Sequence, residues 1–74
     1  MLSKIPAKIR EKFYLRLQIF IKDKNHTLLN NHSVDRVYSN CRSINVTGDY
    51  RAIFEETKEM ILFWKIGTHS ELYH

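Results

Sequence analysis

Cysteine occurs once, at Cys41, in a chain of 74 residues. A single thiol cannot close an intrachain disulfide, and no Cys/His cluster has zinc-ligand spacing, so a reducing compartment and no metal or other cofactor are expected. Glycine occurs only twice and proline once, and the chain carries no Walker loop, dinucleotide fingerprint, nucleophile elbow or HExxH motif. Long apolar runs are missing too. The longest one near the N-terminus is broken by Arg16, Gln18 and Lys22, which leaves neither a secretory signal core nor a membrane span of about 20 residues. A soluble cytoplasmic protein with no membrane partner is expected. Internal repeats, low-complexity segments and linker-like compositions are likewise absent, so residues 1–74 read as one domain.

What is present is basic. The formal charge is +4, four histidines can add to it on modest acidification, and the pI is near 9.4. Such a balance favours a polyanionic partner, nucleic acid or an acidic protein, over an indifferent surface. A chain of this size buries only about 60% of the surface its unfolded form exposes, so its core is thin.

Pro6 suits the first turn of a helix, and no glycine or proline interrupts the chain as far as Lys24, which predicts a main helix over residues 6–23. Ile9, Phe13, Leu17, Phe20 and Ile21 follow helical spacing on one broad face that would pack on a sheet. Leu15 and Ile19 fall together on another side, either against a second surface or exposed. The Asn-rich stretch after Asp23 suits a helical turn at Thr27–Asn30 and a loop, and residues 31–42 show no clean periodicity. Alternation then predicts strands at Ser43–Val46, Tyr50–Glu55 and Met60–Lys65, with turns at Thr47–Gly48 and Glu56–Glu59. In the last strand Met60, Leu62 and Trp64 share one face and Ile61, Phe63 and Lys65 the other, so it reads as central or covered by a partner. The expected class is α+β: one main helix packed on a small antiparallel meander, followed by a polar tail at Ile66–Tyr73.

Chemistry concentrates late in the chain. Asp49 and Arg51, two residues apart, would share a face on a regular strand and pair a carboxylate with a guanidinium suited to phosphate. The competing reading is a surface ion pair of little consequence. His69, just past Gly67, sits where a side chain is held by a rigid element yet open to substrate, and can exchange protons near neutral pH; an exposed loop histidine is the alternative. Tyr73 can stack on a base or donate to a phosphate, or simply cover the sheet edge. His32, in the polar loop, carries the same two readings as His69. His26 and His74 have no evident partner and are expected in solvent. Lys4, Lys8, Arg10, Lys12 and Arg16 point several ways along the helix, as a solvated surface or as part of an RNA-binding face.

Three blocks, Asn30–Asn31–His32, Arg42–Ser43–Ile44–Asn45–Val46–Thr47–Gly48–Asp49–Tyr50–Arg51–Ala52–Ile53–Phe54 and Ile66–Gly67–Thr68–His69–Ser70–Glu71–Leu72–Tyr73, together resemble the RelE/ParE toxin superfamily of bacterial type II toxin–antitoxin systems. The YafQ/HigB-like mRNA interferases are the nearest branch, and the match runs from about Ile5 onward. The resemblance implies a ribosome-dependent endoribonuclease that cuts mRNA without a metal, by attack of the ribose 2′-OH on the neighbouring phosphate, and that a cognate antitoxin protein restrains. It implies catalytic roles for His32, Asp49 and His69, and substrate or phosphate contacts for Arg51, Tyr73 and Asn45. Asn45 stands where the most histidine-rich members carry another histidine, and it can hydrogen-bond but not exchange protons in that way.

The pattern departs from the family in specific places. The resemblance implies a RelE-like fold lacking its first strand and most of its first helix, because the chain starts near the end of that helix. Arg36 and Asn40 occupy a loop usually rich in glycine, Ser33 replaces a common proline, and Cys41 replaces an aromatic. Two other functions stay open: a catalytically inactive truncated remnant that only binds antitoxin or ribosome, and a ParE-like gyrase inhibitor. The pairing of His69 with Asp49 fits the ribonuclease branch better than the last. Loss of an edge strand would also leave unpaired backbone groups, so poor solubility or self-association is expected.

Overall fold

The computed structural model describes residues 4–73; His74, expected in solvent, lies outside them. Helix α1 spans Ala7–Lys22, one residue shorter at each end than the spacing predicts. Pro6 is its N-cap rather than its first helical residue: ψ of 143° keeps it extended, while its carbonyl accepts the first bonds, from Ile9 N at 2.9 Å and Arg10 N at 3.1 Å. Asp23 is extended at the other end. A single 3-10 turn, Thr27–Leu29, follows. The sheet strands are β1 (His32–Ser33), β2 (Cys41–Asn45), β3 (Tyr50–Glu56) and β4 (Ile61–Thr68), and a one-turn helix, α2 (His69–Leu72), closes the described chain.

The class is α+β, with one main helix on an antiparallel sheet. The sheet has four strands in the order β1-β2-β3-β4 rather than three. The extra strand pairs His32 with Ser43 and Ser33 with Arg42. Two residues are too short to announce themselves by alternation, so His32 belongs to a sheet edge and not to a loop. The 3-10 turn that precedes it is closed by Asn30 in the left-handed region at φ 46°, a conformation Asn tolerates better than most residues. His26 is half-buried rather than in solvent, and its Nδ1 accepts from Leu28 N at 3.1 Å to cap the turn. The cap supports Leu29, which is fully buried.

Apolar residues cover both faces of the sheet. On the helix side Phe13, Phe20, Leu29, Ile44, Val46, Ala52 and Phe54 form the main core, flanked by Ile9, Leu17 and Phe63. Phe54 meets Phe20 edge-on at 5.2 Å and Phe63 in a tilted contact at 5.4 Å. Ile21 is not part of the buried face and is 81% exposed. It lies about 100° around the helix from Phe20, beyond the stripe that faces the sheet. Ile19 packs partly against the core while Leu15 is exposed. On the opposite face Cys41, Ile53 and Leu72 form a second cluster, with Val34, Tyr38 and Tyr73 against it.

Strand β4 is the last in the sheet order and not a central strand. Met60, Leu62 and Trp64 are accordingly exposed. The alternation expected along it also breaks, because the register slips at Ile53/Phe54: Phe54 pairs with Phe63 while Ile53 pairs with Lys65. Trp64 is the extra residue of a β-bulge, so Lys65 leaves the Ile61–Phe63 face and joins the side of Ile53. Ile66 returns to the core. The stretch from Ile66 onward is therefore the end of a strand and a capped helical turn, not a polar tail. No described helix is long and apolar enough to cross a membrane.

Candidate functional site

Alternation on β2 sends Ile44 to the helix-side core and Ser43 and Asn45 to the other face. Pairing then sets His32 beside Ser43, and Arg51 beside Asn45 and Gly67. Helix α2 folds back over this face directly after Gly67. A Cβ at Gly67 would meet Glu71 Oε1 at 3.3 Å and Leu72 Cδ2 at 3.5 Å, so the bare backbone lets α2 sit close to β4. The result is an open cavity of about 400 Å³ bordered by His32, Ser43, Arg51, His69 and Tyr73, with the 33–37 loop including Arg36 along one side.

Each wall is fixed by identifiable bonds. His32 Nδ1 lies 2.7 Å from the Asn30 carbonyl oxygen. A carbonyl only accepts, so Nδ1 carries the proton in this bond and Nε2 of the neutral ring keeps its lone pair. Helix α2 carries a full capping box: Thr68 Oγ1 accepts from Glu71 N, and Glu71 Oε1 accepts from Thr68 N at 2.8 Å. The Glu71 carboxyl is held below its ordinary range, first by the Thr68 backbone bond and then by the Thr68 side chain, with desolvation opposing weakly. His69 N bonds the Asp49 carbonyl at 3.2 Å, and its ring lies 4.7 Å from that of Tyr73. Tyr38 donates its hydroxyl proton to the Leu72 carbonyl at 2.7 Å and meets the Tyr73 ring edge-on at 6.0 Å. Burial raises the Tyr73 phenol pKa and Tyr38 adds to the rise, while the Arg51 charge and the Ser43 hydroxyl pull it down. The phenol stays protonated, a donor, throughout the neutral range.

Arg51 is both structural and available. Its Nη1 donates to the carbonyls of Thr47 at 3.0 Å, Gly48 at 3.0 Å and Tyr50 at 3.2 Å. These bonds tie the turn before β3 and aim the guanidinium, leaving Nε and Nη2 without a bond among the described residues. Ser43 is fully buried. Its hydroxyl comes close enough to Tyr73 to lower the phenol pKa, yet no neighbour aligns to complete a hydrogen bond with it. Asn45 Oδ1 is also buried without a partner.

Of the residues singled out from the sequence, His32, Arg51, His69 and Tyr73 border the one cavity. Asp49 and Asn45 do not line it. Asp49 precedes β3, which starts at Tyr50, so it does not share a strand face with Arg51. Its exposed side chain makes no ion pair among the described residues, and its backbone does the positioning. No family model, curated protein or solved structure matches this chain.

Ser43, Arg36 and Tyr38 were not singled out. The Ser43–Val46 alternation held the signal for the first, since it sets Ser43 with Asn45 on the side away from Ile44 and Val46. Arg36 is marked only as a departure from a glycine-rich loop, and nothing local marks Tyr38; both sit in the aperiodic 31–42 stretch. Among the described residues no group of three or more His, Cys, Asp or Glu side chains is placed to hold a metal ion. Cys41 is buried, and burial first, then Glu55 and Asp35, raise its thiol pKa, which keeps it a protonated packing residue.

Proposed function

We propose that the chain is an RNA-cleaving toxin domain of the RelE type, acting on ribosome-bound mRNA and restrained by an antitoxin protein. The observation that carries this reading is the convergence of His32, Arg51, His69 and Tyr73, from three separate parts of the chain, on one open cavity whose lining carries two arginines, Arg36 and Arg51, against one carboxylate, Asp35. The chemistry follows from what each group can do. His32 Nε2 takes the proton of a ribose 2′-OH, whose oxygen forms a bond to the adjacent phosphorus. The Nε and Nη2 of Arg51 face the charge that builds on the phosphoryl oxygens, and the Tyr73 hydroxyl donates to the same group. His69 gives a proton to the departing 5′-oxygen as the P–O bond breaks, leaving a 2′,3′-cyclic phosphate and a 5′-hydroxyl.

A coupled translation reaction with labelled mRNA tests the proposal. Cleavage is expected with the unaltered chain and a loss of about 100-fold or more on removing either His32 or His69 as alanine, the usual contribution of a proton-transfer group. Unchanged cleavage in the doubly substituted chain overturns it.

A second reading has its own support: a remnant that binds antitoxin or ribosome without cutting. Asp49 lies off the cavity, and Arg51 already bonds three carbonyls. That reading predicts a stable antitoxin complex and no growth arrest on expression.

A further inference from the structure

A second cavity, of about 390 Å³, is lined by Tyr38, Ser39, Cys41, Glu55, Trp64 and Lys65. It opens on the same sheet face as the first and is divided from it by the Tyr38–Tyr73 ring contact. The β-bulge builds it. Without the extra residue Trp64 and Lys65 would point to opposite faces, as consecutive strand residues do; with it, Lys65 moves to the side of Ile53 and Glu55. Bulges serve to re-aim side chains in this way next to functional sites.

The two redirected side chains are held rather than loose. Trp64 is 57% exposed, yet its indole Nε1 donates to Glu55 Oε1 at 3.1 Å, which fixes the ring plane at the surface. Lys65 Nζ lies 5.4 Å from the centre of the Tyr38 ring and makes no ion pair among the described residues. From one cavity to the other the face thus presents Arg51, His69, Tyr73, Tyr38, Lys65 and Trp64. Cations interleaved with flat rings along an open face are the arrangement that binds a single nucleic-acid strand, charge to backbone and ring to base.

We propose that the second cavity is a base-binding subsite for single-stranded RNA. Trp64 stacks on a nucleobase flanking the section of strand held in the first cavity, and Lys65 faces the phosphate between the two. Glu55, which orients the indole, repels phosphate and so keeps the backbone on the Lys65 side. This inference rests on the RNA-binding reading of the first cavity.

Trp64 is the sole tryptophan of the chain, so its emission reports the subsite directly. The full chain is titrated with a cleavage-resistant 2′-O-methyl RNA of about ten nucleotides and with a dinucleotide, following Trp64 fluorescence and the imidazole proton resonances of His32 and His69. The long strand is expected to shift the imidazoles and quench Trp64, and the dinucleotide to shift the imidazoles alone. Trp64→Leu should weaken the long strand about fivefold or more, the loss of one base–ring stack, and leave the dinucleotide unaffected. Lys65→Gln, which keeps the indole, should weaken the long strand as well. If the long strand shifts the imidazoles with no change at Trp64 and binds Trp64→Leu with full affinity, the subsite is overturned while the proposed function stands. Emission that follows protein concentration and ignores RNA also overturns it, as an interface between copies of this chain. If no RNA moves either imidazole or Trp64, the subsite is overturned, while the proposed function on ribosome-bound mRNA is decided by the translation assay.

Discussion

Ser43 is the residue where stability and function separate most cleanly. A fully buried hydroxyl with no well-aligned hydrogen bond, only a close approach to the Tyr73 phenol, carries a desolvation cost of about 1–3 kcal/mol that is at most partly returned. Ser43→Ala removes that cost for the loss of one oxygen atom. Urea unfolding should show the variant as stable as the unaltered chain or more stable, by about 1 kcal/mol. Binding of a nucleotide in the His32–Arg51 cavity should weaken in the same variant through Tyr73, whose phenol the Ser43 hydroxyl adjoins. A destabilised Ser43→Ala would show that the hydroxyl is bonded in solution, to Tyr73 before any other group. Phe54 is the opposite case. Its ring is fully buried between Phe20 and Phe63, and Phe54→Ala should cost about 3–5 kcal/mol. A chain of 74 residues has roughly 4–11 kcal/mol in all, so the thermal transition of this variant should move down by tens of degrees or disappear.

At the scale of elements, α2 is a helix too short to persist by itself, and it carries His69 at its start and Tyr73 at its end. Its capping box therefore controls the geometry of the site. The Glu71 carboxylate accepts from Thr68 N, and its pKa lies below the ordinary 4.5 for that reason. A depressed folded-state pKa contributes stability that is present above about pH 4.5 and lost as pH falls through the lowered folded value. The resonances of His69 and Tyr73 should accordingly lose their structured dispersion in that acid window while the core signals persist. Glu71→Gln keeps an acceptor oxygen, as glutamine also completes a capping box, and should abolish the acid loss; Glu71→Ala should loosen α2 at every pH. Persistence of α2 in the unaltered chain at an acid pH where the Glu71 carboxyl is shown to be protonated would sink this account. The sequence made β2, β3 and the Ile61–Lys65 part of β4 legible, because alternation is a local signal. It did not disclose α2. Thr68 and Glu71 stand at capping-box spacing, but no apolar helical period follows to give them meaning. Strand β1 escaped for the same kind of reason: two residues show no period, and their pairing with β2 is a tertiary fact.

At the scale of the molecule, the sheet ends in a strand whose outer edge has no strand beside it among the described residues. Edge strands with unpaired N–H and C=O groups recruit further strands unless a charge or a bulge interrupts them. Here both interruptions sit at one place, the bulge and Lys65. The half of β4 before them is unprotected: Leu62 is exposed within it, and Met60 is exposed just ahead of it. The reading of β4 as a covered strand came from its apolar residues, and in the single chain those same residues form the open edge. Association of the chain with itself should therefore run through Ile61–Phe63 and not through Lys65–Thr68. Sedimentation at rising concentration should show oligomers, and Leu62→Lys, which places a second charge in the open half, should return the chain to a monomer without altering its unfolding transition. If the unaltered chain sediments as a monomer at every concentration, the bulge and Lys65 protect the whole edge.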